Sequence, residues 1–448
     1  MSHLHPRMLA RAMAVQALSL LLVALMVTFP ARGRAEISDE VLSDAYVYLL
    51  SRALVVRQEQ TDLAEEGVDY NVVKYNPVGS ADFVNPNLDV AYLETWFGVD
   101  DQSAAILSIP QVEGRYYTAQ IIDEWGEVVT NINERTYPLS PDGAFALVTP
   151  GSTIDLLEGV VRVPLHGSKA KMLARVELKT DSDAAVELQQ AFTVETMGQP
   201  EIAPAIELPA FDNVSLIGVE IFDFAEELLT SAIDVSPAAA RMQAQVMAVA
   251  KATDDPAERN RIAAALADEV IPGFLKSAVS EAGKFQGGWL GTLTAGTYGA
   301  EYRTRTAANL VGIWANASDE VIYFVGTQDA DGAALSGDKT YELHFDADAL
   351  PETVVDGYWS VILVDLPDYR VVENPLQRYN FNSYSPLARE EDGSLTLVVS
   401  AELPDGSPEA NWLPSPAGQN FSLTFRAYVP KEVVKSGDWF PPSPVPVD

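Results

Sequence analysis

The sequence predicts a mainly β protein: two antiparallel β-sandwich domains, jelly-roll-like, with a helical segment between them. Three observations carry this. Short apolar runs broken by Pro, Gly and Asp-Gly turn signals fill residues 70–180, as sandwiches require. The same pattern returns from residue 318 to the end, while residues 216–285 turn Ala-, Leu- and Glu-rich with helical spacing. With 448 residues, 48% of them hydrophobic, the chain can build two or three cores.

Residues 1–35 read as a signal peptide. Arg7 and Arg11 stand without any acid, an apolar run follows from Ala12 to Phe29, and Pro30 leads to small residues ending at Ala35. The alternative is an uncleaved anchor, since an apolar run of this length just spans a bilayer. Cleavage predicts a mature chain starting near Glu36, with no later apolar span, free of the membrane and periplasmic or secreted.

A helix is expected over Ser38–Glu59. The runs "AILSIP", "RYYTAQII", "AFALVTP" and "VVRVPL" then read as strands, and residues 181–215, rich in proline towards their end, as a connecting segment. Three helices follow, with Ser236-Pro237 and Asp255-Pro256 as N-cap and first-turn proline. Strands resume with "VIYFVGT", "TYELHFD", "GYWSVILVD", "SLTLVVS" and "FSLTFRAYVP", between "DADG", "EEDG" and "LPDG" turns. The expected organisation is an N-terminal β-domain over 36–215, a helical segment over 216–290 and a C-terminal β-domain over 291–448.

Composition excludes several functions. Sixty-four acids against 29 bases give a formal charge of −35, which repels nucleic acid and anionic lipid. The chain has no cysteine, so thiol catalysis and cysteine metal sites are absent. Its four histidines lack ligand spacing, and His344 falls on the strand face opposite Tyr341, Leu343 and Phe345. "DADG" at Asp329–Gly332 lacks the rest of a calcium loop and reads as a hairpin turn. No GxSxG, P-loop or dinucleotide fingerprint occurs, and SxxK at Ser168–Lys171 and Ser336–Lys339 stands without companion motifs. Neither a metal nor another cofactor is expected.

What remains is strand faces. In "VAYLETWF", Val90, Tyr92, Glu94 and Trp96 share one face; in "RYYTAQIID", Tyr116, Thr118 and Gln120 do. Rings mixed with hydrogen-bonding groups suit a small-molecule site; the plainer alternative is an exposed sheet face. Asp89, Glu94 and Asp123 flank or line these strands as candidate acid–base groups, with Glu124 beside them. Arginine is scarce, and Arg115, Arg303, Arg378 and Arg426 all adjoin aromatics, where they suit either carboxylate recognition or internal ion pairs. Asn85 reads as a turn-maker, Asn87 and Asp89 as turn residues that also line a site, and Trp412 as an indole on a proline-stiffened loop.

The stretch "NPNLDVAYLETWFGVD", followed by "ILSIP" and "GRYYTAQIIDEW", resembles domain-of-unknown-function family 1254. The C-terminal half is similar to its companion, family 1214, through "YRTRTAANLVGIWAN", "GYWSVILVD", "ENPLQRY", "DGSLTLVVS", "NWLPSPAG" and "FSLTFRAYVPK". The resemblance covers most of residues 45–445 and implies a two-β-domain architecture without a general activity. Where the family pattern reads Asp-Thr and Asp-Ala-Tyr, this chain has Asp89-Val90 and Asp123-Glu124-Trp125. A site built on that threonine or tyrosine would have a changed specificity here.

The functional expectation is an exported envelope protein handling a small organic or carbohydrate-like ligand, as a metal-independent hydrolase or lyase. The alternative is a non-catalytic ligand-binding or structural envelope protein. The candidate catalytic residues are Asp89, Glu94 and Asp123. The candidate ligand-binding residues are Asn87, Tyr92, Trp96, Arg115, Tyr116, Gln120, Arg303 and Trp412. Partners reduce to the small-molecule ligand, with a homo-oligomer left open.

Overall fold

Helix α1 (Asp39–Leu63) is buried without interruption from Ala45 to Val56, so it is wrapped on all sides rather than laid on a surface. The computed structural model describes residues 37–79 and 85–447; the export segment read over 1–35 lies outside them. Residues 40–448 hold together as one unit.

The first sandwich contains β1 (Lys74–Tyr75), β2 (Val90–Gly98), β3 (Ala104–Ile109), β4 (Tyr117–Ile122), β5 (Val128–Ile132), β6 (Gly143–Val148), β7 (Val161–Pro164), β8 (Lys169–Glu177) and β9 (Thr193–Met197). One sheet has the order β1-β2-β8-β4-β5 and the other β7-β6-β3-β9. Leu93, Phe97, Leu107, Ile121, Phe145, Met172 and Val176 interdigitate between them. Helix α2 (Ser182–Ala191) and β9 occupy part of the segment expected to be a plain connection. Asp181 caps α2 by accepting from Ala184 N, and β9 adds an edge to β3.

The middle of the chain supplies α3 (Ala225–Thr230), α4 (Ala239–Ala252), α5 (Pro256–Ala265) and α6 (Ile271–Glu281), the last two joined through a π-turn at Leu266–Val270. Asp255 caps α5, accepting from Ala257 N and Glu258 N, with Pro256 in the first turn. A further helix, α7 (Tyr302–Gly312), falls where the sequence suggested only the start of the C-terminal β-domain. It belongs with α1: Thr306 Oγ1 donates to Val47 O (2.9 Å) and Asn309 Nδ2 to Ser51 Oγ (3.0 Å).

The second sandwich contains β10 (Lys284–Gln286), β11 (Trp289–Gly291), β12 (Val321–Gly326), β13 (Thr340–Phe345), β14 (Trp359–Asp365), β15 (Asn380–Asn382), β16 (Leu395–Ser400), β17 (Trp412–Pro414), β18 (Phe421–Tyr428) and β19 (Val445–Val447). Its sheets run β10-β11-β12-β18-β14-β15 and β17-β16-β13-β19 around Trp289, Phe324, Tyr341, Trp359, Leu397 and Phe425. All five strands expected in this half form. Asp329 Oδ1 accepts from Asp331 N and Ala333 N, which makes "DADG" a side-chain-closed turn. His344 is exposed beside Thr396.

Strand β8 decides how these parts assemble. Ala170, Met172, Ala174 and Val176 point into the first core, and Lys169, Lys171, Leu173, Arg175 and Glu177 point the other way. All four charged residues are nevertheless buried. One end of this outward face is covered by α1: Lys169 pairs with Glu59 at 2.8 Å, and Lys171 with Asp62 and Glu94 at 2.7 Å each. The other end, at Arg175 and Glu177, meets the second sandwich.

Removing Lys171 would take the shared cation from Asp62 and Glu94, leaving Glu94 only the longer contact with Lys74 at 3.6 Å. Lys171→Ala is expected to destabilise the protein by about 3 kcal/mol in urea unfolding, the order found for a broken buried pair. A loss under about 1 kcal/mol would mean that the face is better hydrated than its burial implies.

Candidate functional site

Strand β18 is fully buried and yet half polar. Phe421, Leu423, Phe425 and Ala427 enter the second core, so Ser422, Thr424, Arg426 and Tyr428 line the opposite face. Register extends this face sideways. Asn382, Ser360, Arg426 and Tyr323 form one row across β15, β14, β18 and β12, and Asn380, Ile362, Thr424 and Val325 form the next. The first sandwich presents a matching face, with Tyr92, Arg175 and Thr118 in one row across β2, β8 and β4.

The two faces meet through tyrosines. The Tyr116 ring packs edge-on against Tyr428 (5.2 Å) and Tyr358 (5.9 Å), and the latter two stack at 4.1 Å. Tyr116 OH donates to Glu320 Oε2 (3.0 Å), a carboxylate also held by Asn133 Nδ2 (2.9 Å) and Arg135 Nη2 (2.6 Å). Burial pushes the Tyr116 hydroxyl well above its ordinary pKa, and Glu320 pushes it further. It is therefore a donor at physiological pH.

The loop before β2 closes one side. Asn85 takes φ 49°, and Asn87 Oδ1 accepts from Asp89 N (3.0 Å), a side-chain-closed turn. Asn87 Nδ2 reaches across to Tyr428 OH (2.5 Å), and Arg426 Nη2 donates to Asn85 O (3.0 Å) and Pro86 O (3.2 Å).

Asp89 is 5% exposed, and its Oδ1 accepts from Asn380 Nδ2 and Asn382 Nδ2 at 2.8 Å each. Burial raises its pKa; Asn382, Ser360, Arg426 and Asn380 oppose the rise without cancelling it. Ser360 lies near enough to favour the ionised form, yet neither Ser360 Oγ nor Asp89 Oδ2 completes a hydrogen bond. Asp89 lines a cleft of about 210 Å³ with Glu177, Tyr358, Asn382 and Tyr384. Glu177 accepts there from Tyr384 OH (2.6 Å) and Tyr116 N (2.8 Å). Among the described residues, Asp89 Oδ2, Tyr358 OH, Ser360 Oγ, Ser422 Oγ, Thr424 Oγ1 and Arg426 Nη1 are buried on this one face without a partner. Such atoms are rare in folded interiors.

Of the residues singled out in the sequence, Asn87, Asp89, Tyr92, Tyr116 and Gln120 lie on this layer or its rim. Tyr92 carries the Arg175 guanidinium 5.4 Å from its ring, and Gln120 Oε1 accepts from Arg175 Nη1 at 2.6 Å. Glu94 and Trp96 lie further along β2 under α1, where Trp96 Nε1 donates to Asp62 (2.9 Å). Burial pushes Glu94 up, but Lys171, Asn76 and Lys74 outweigh it and hold the carboxyl below its usual value. Asp123 stands at the far end of β4, roughly 20 Å along the strand from Tyr116 at about 3.3 Å per residue. There its Oδ1 accepts from Trp125 N (2.8 Å) and Glu127 N (2.9 Å), and its Oδ2 contacts His166 Nδ1 (2.7 Å). Next to it, burial pushes the Glu124 carboxyl up to about 7 despite its pair with Arg52.

Three further candidates sit apart from the layer. Arg115 spends Nη1 on the carbonyls of Glu177 (2.7 Å) and Leu178 (3.3 Å), Arg303 pairs with Glu281 (3.0 Å), and Trp412 donates to Ser400 O (3.0 Å). Trp412 lines a separate groove of about 500 Å³.

Arg426, noted in the sequence only as an arginine beside aromatics, belongs to the layer, and Arg175, Glu177, Tyr323, Tyr358, Ser360, Asn380, Asn382 and Tyr428, which the sequence reading did not name, complete it. Their signal was present: "SLTFRAY" alternates polar and apolar residues, and so does "KAKMLARVE".

Residues 70–196 match the model of a family described as "Protein of unknown function (DUF1254)", and residues 320–432 that of "Protein of unknown function (DUF1214)". The chain carries one segment of each. The polar layer lies between them: Asp89, Tyr92, Tyr116, Arg175 and Glu177 come from the DUF1254 segment. Glu320, Tyr323, Tyr358, Ser360, Asn382, Arg426 and Tyr428 come from the DUF1214 segment. Helices α3 to α7 fall outside both.

The structure is similar to the crystal structure of the VPA0106 protein from Vibrio parahaemolyticus, with a TM-score of 0.67 and 18% identity, over 92% of this chain and 100% of that one. An uncharacterized protein from Burkholderia cenocepacia aligns with a TM-score of 0.42 and 12% identity, over 93% of this chain and 91% of that one. No curated protein matches the chain. The Vibrio likeness shows the fold, with both sandwiches and the helices between them. Among the described residues no helix is long and apolar enough to cross a membrane.

The state of Asp89 is testable through stability. A carboxyl whose pKa is raised on folding makes the protein lose stability as pH rises from its unfolded value, about 3.9, through its folded value. Asn at this position keeps the acceptor used by Asn380 and Asn382 and never has to ionise. The stability of Asp89→Asn relative to the parent should therefore grow above about pH 4, by up to about 1.4 kcal/mol per pH unit until the folded pKa is passed. Thermal melts of both proteins from pH 4 to 8 check this; a difference that stays flat or shifts towards the parent as pH rises would show Asp89 ionised and well paired.

Proposed function

We propose that the protein binds a small polar organic molecule, carbohydrate-like in its hydroxyl content, in the layer between its two sandwiches. The observation that carries this reading is the set of unpartnered buried polar atoms on the second sandwich's inner face, a face that ends at the cleft with Asp89 and Tyr358. A structural interface satisfies its polar groups, whereas a ligand site holds some in reserve. Tyr384 and Tyr358 supply rings on the cleft, and Asn382 and Glu177 supply hydrogen-bonding partners.

For chemistry, the reading is hydrolysis or elimination with Asp89 as the acid. Burial favours its protonated form, and Oδ2 is the oxygen free to hand a proton to a leaving group. Glu177, held by Tyr384 and the Tyr116 amide, is the second carboxylate on the cleft. Binding without turnover is the alternative, and needs only the rings and the hydrogen-bonding groups. The export reading of residues 1–35 supports an envelope location for either activity.

A thermal-shift screen of sugars, uronic acids and small carboxylates, with product analysis on each hit, separates these. A ligand at a hundred times its Kd should stabilise the protein by about 2.7 kcal/mol. If the protein is an enzyme, Asp89→Asn should retain that shift and lose roughly 10²-fold or more in turnover. A shift without product in the parent supports the binding protein. The proposal fails if no compound shifts the transition and Tyr116→Ala only destabilises the fold.

A further inference from the structure

We propose that the ligand carries a carboxylate, received between Arg175 of the first sandwich and Arg426 of the second. This rests on the reading of the layer as a ligand site and adds the chemical class of its occupant.

Arg52, Lys169, Lys171, Arg175, Arg305 and Arg426 are all buried. Arg52 pairs with Glu124 (3.2 Å), Lys169 with Glu59 (2.8 Å), Lys171 with Asp62 (2.7 Å), and Arg305 with Asp234 (2.9 Å). Arg175 and Arg426 are the exceptions: among the described residues neither has a carboxylate in ion-pair contact. Arg175 Nη1 makes do with Gln120 Oε1 and Leu173 O, and Arg426 Nη2 with the carbonyls of Asn85 and Pro86. Among the described residues Arg426 Nη1 has no partner. In a chain with 64 acids, a counter-ion was readily available to evolution at either position. Asp89 feels the Arg426 charge without touching it, and burying a guanidinium with no carboxylate in contact is expensive, so the absence at these two positions is informative.

The exceptions also share one place. Tyr92 stands opposite Arg175 across β2 and β8, and Tyr323 stands opposite Arg426 across β12 and β18. Both tyrosines pack on the same cluster of Tyr116, Tyr358 and Tyr428. The two cations thus flank one aromatic layer from opposite sheets. In the Arg426 row, Ser360 comes next and Asn382 after it, and Asn382 holds Asp89. A carboxylate at the arginines would put the body of the molecule along Ser360 towards the Asp89 cleft. Guanidinium groups match the planar two-oxygen geometry of a carboxylate, and the tyrosine walls suit the flat group better than a tetrahedral phosphate.

The test uses the protein from Glu36 onward and thermal shifts at matched ionic strength. Benzoate, succinate and glucuronate are compared with benzamide, succinamide and glucose, and with inorganic phosphate. At least one carboxylate should raise the transition, and its neutral counterpart should not. Arg175→Gln and Arg426→Gln should abolish that shift, while the ligand-free transition holds or rises because an uncompensated charge has gone. Arg305→Gln, which breaks a paired cation, should lower the ligand-free transition. Arg175→Lys keeps the charge without the planar fork and should weaken binding at least tenfold, which covers the case where the glutamine variant does not fold. Equal shifts from a neutral counterpart or from phosphate would overturn the carboxylate assignment and leave the ligand site standing. Silence from every compound counts against both.

Discussion

The assembly turns on one strand with charges on its outward face. Strand β8 sits in the middle of its sheet, so it cannot be left at an edge, and its inward residues must fill the first core. Its outward residues include the charges Lys169, Lys171, Arg175 and Glu177, which a solvated sheet face would accommodate without help. Burying them instead obliges the rest of the chain to supply partners at defined places. Helix α1 answers for Lys169 and Lys171 with Glu59 and Asp62, which lie one turn apart on the same helix side. That requirement helps to explain why α1 is buried all round: the sheet lies on one side, and other elements cover the rest. Tyr46 donates to Ile217 O (2.7 Å) and Tyr48 to Asp234 (2.6 Å), both in the segment leading into and out of α3.

The remaining half of the face is handled differently, and the difference separates scaffold from site. Glu177 finds the Tyr116 amide and the Tyr384 hydroxyl, and the tyrosine belt fills the space between sheets with stacked and edge-on rings. Glu320 ties the belt to Arg135 and Asn133 in a fully satisfied cluster. Next to this finished network stands an unfinished one, at Asp89, Ser360, Thr424 and Arg426. Both lie in the same layer under the same burial, so burial alone does not account for the second. The contrast is between a hydrogen-bonded cluster that joins the sandwiches and neighbouring polar atoms that have no partner among the described residues.

Much of the fold was legible because each strand obeys a period of two and each turn is marked by Gly, Pro or Asp. The five strands of the second sandwich followed from that. Strand β8 was passed over because its five outward positions are mostly charged, so that "KAKMLARVE" reads as a polar surface segment unless its alternation is weighed. Helix α7 was missed because its polar residues, Arg305, Thr306 and Asn309, all point into the protein. Their partners lie in α1, in Asp234 and at Trp125, far away in sequence. The candidate site shows the same limit. Residues on β2 and β4 were found from the mixed ring-and-polar face they share. Half of the layer comes from β12, β14, β15 and β18, and no local pattern says that two sandwich faces more than 200 residues apart will meet. Asp89 and Asp123 looked equivalent as acids flanking strands; parallel alignment of β2 and β4 beside β8 sends them to opposite ends of the sheet.

The overall charge sharpens the meaning of the two unpaired arginines. A net charge of −35 surrounds the molecule with a potential that repels anions, and at physiological ionic strength this reaches about 8 Å from the surface. A carboxylate ligand of the kind proposed would gain nothing from long-range steering. It would have to be recognised after entry, by contacts strong enough at short range to offset the approach. Buried guanidinium groups in a low-dielectric layer are suited to that role, because their field is little screened inside and hidden outside. The same arrangement would disfavour dianions, which meet twice the repulsion at the surface for the same pair of arginines inside. Moderate salt, by screening the surface and leaving the buried layer almost untouched, would speed entry without loosening the bound state.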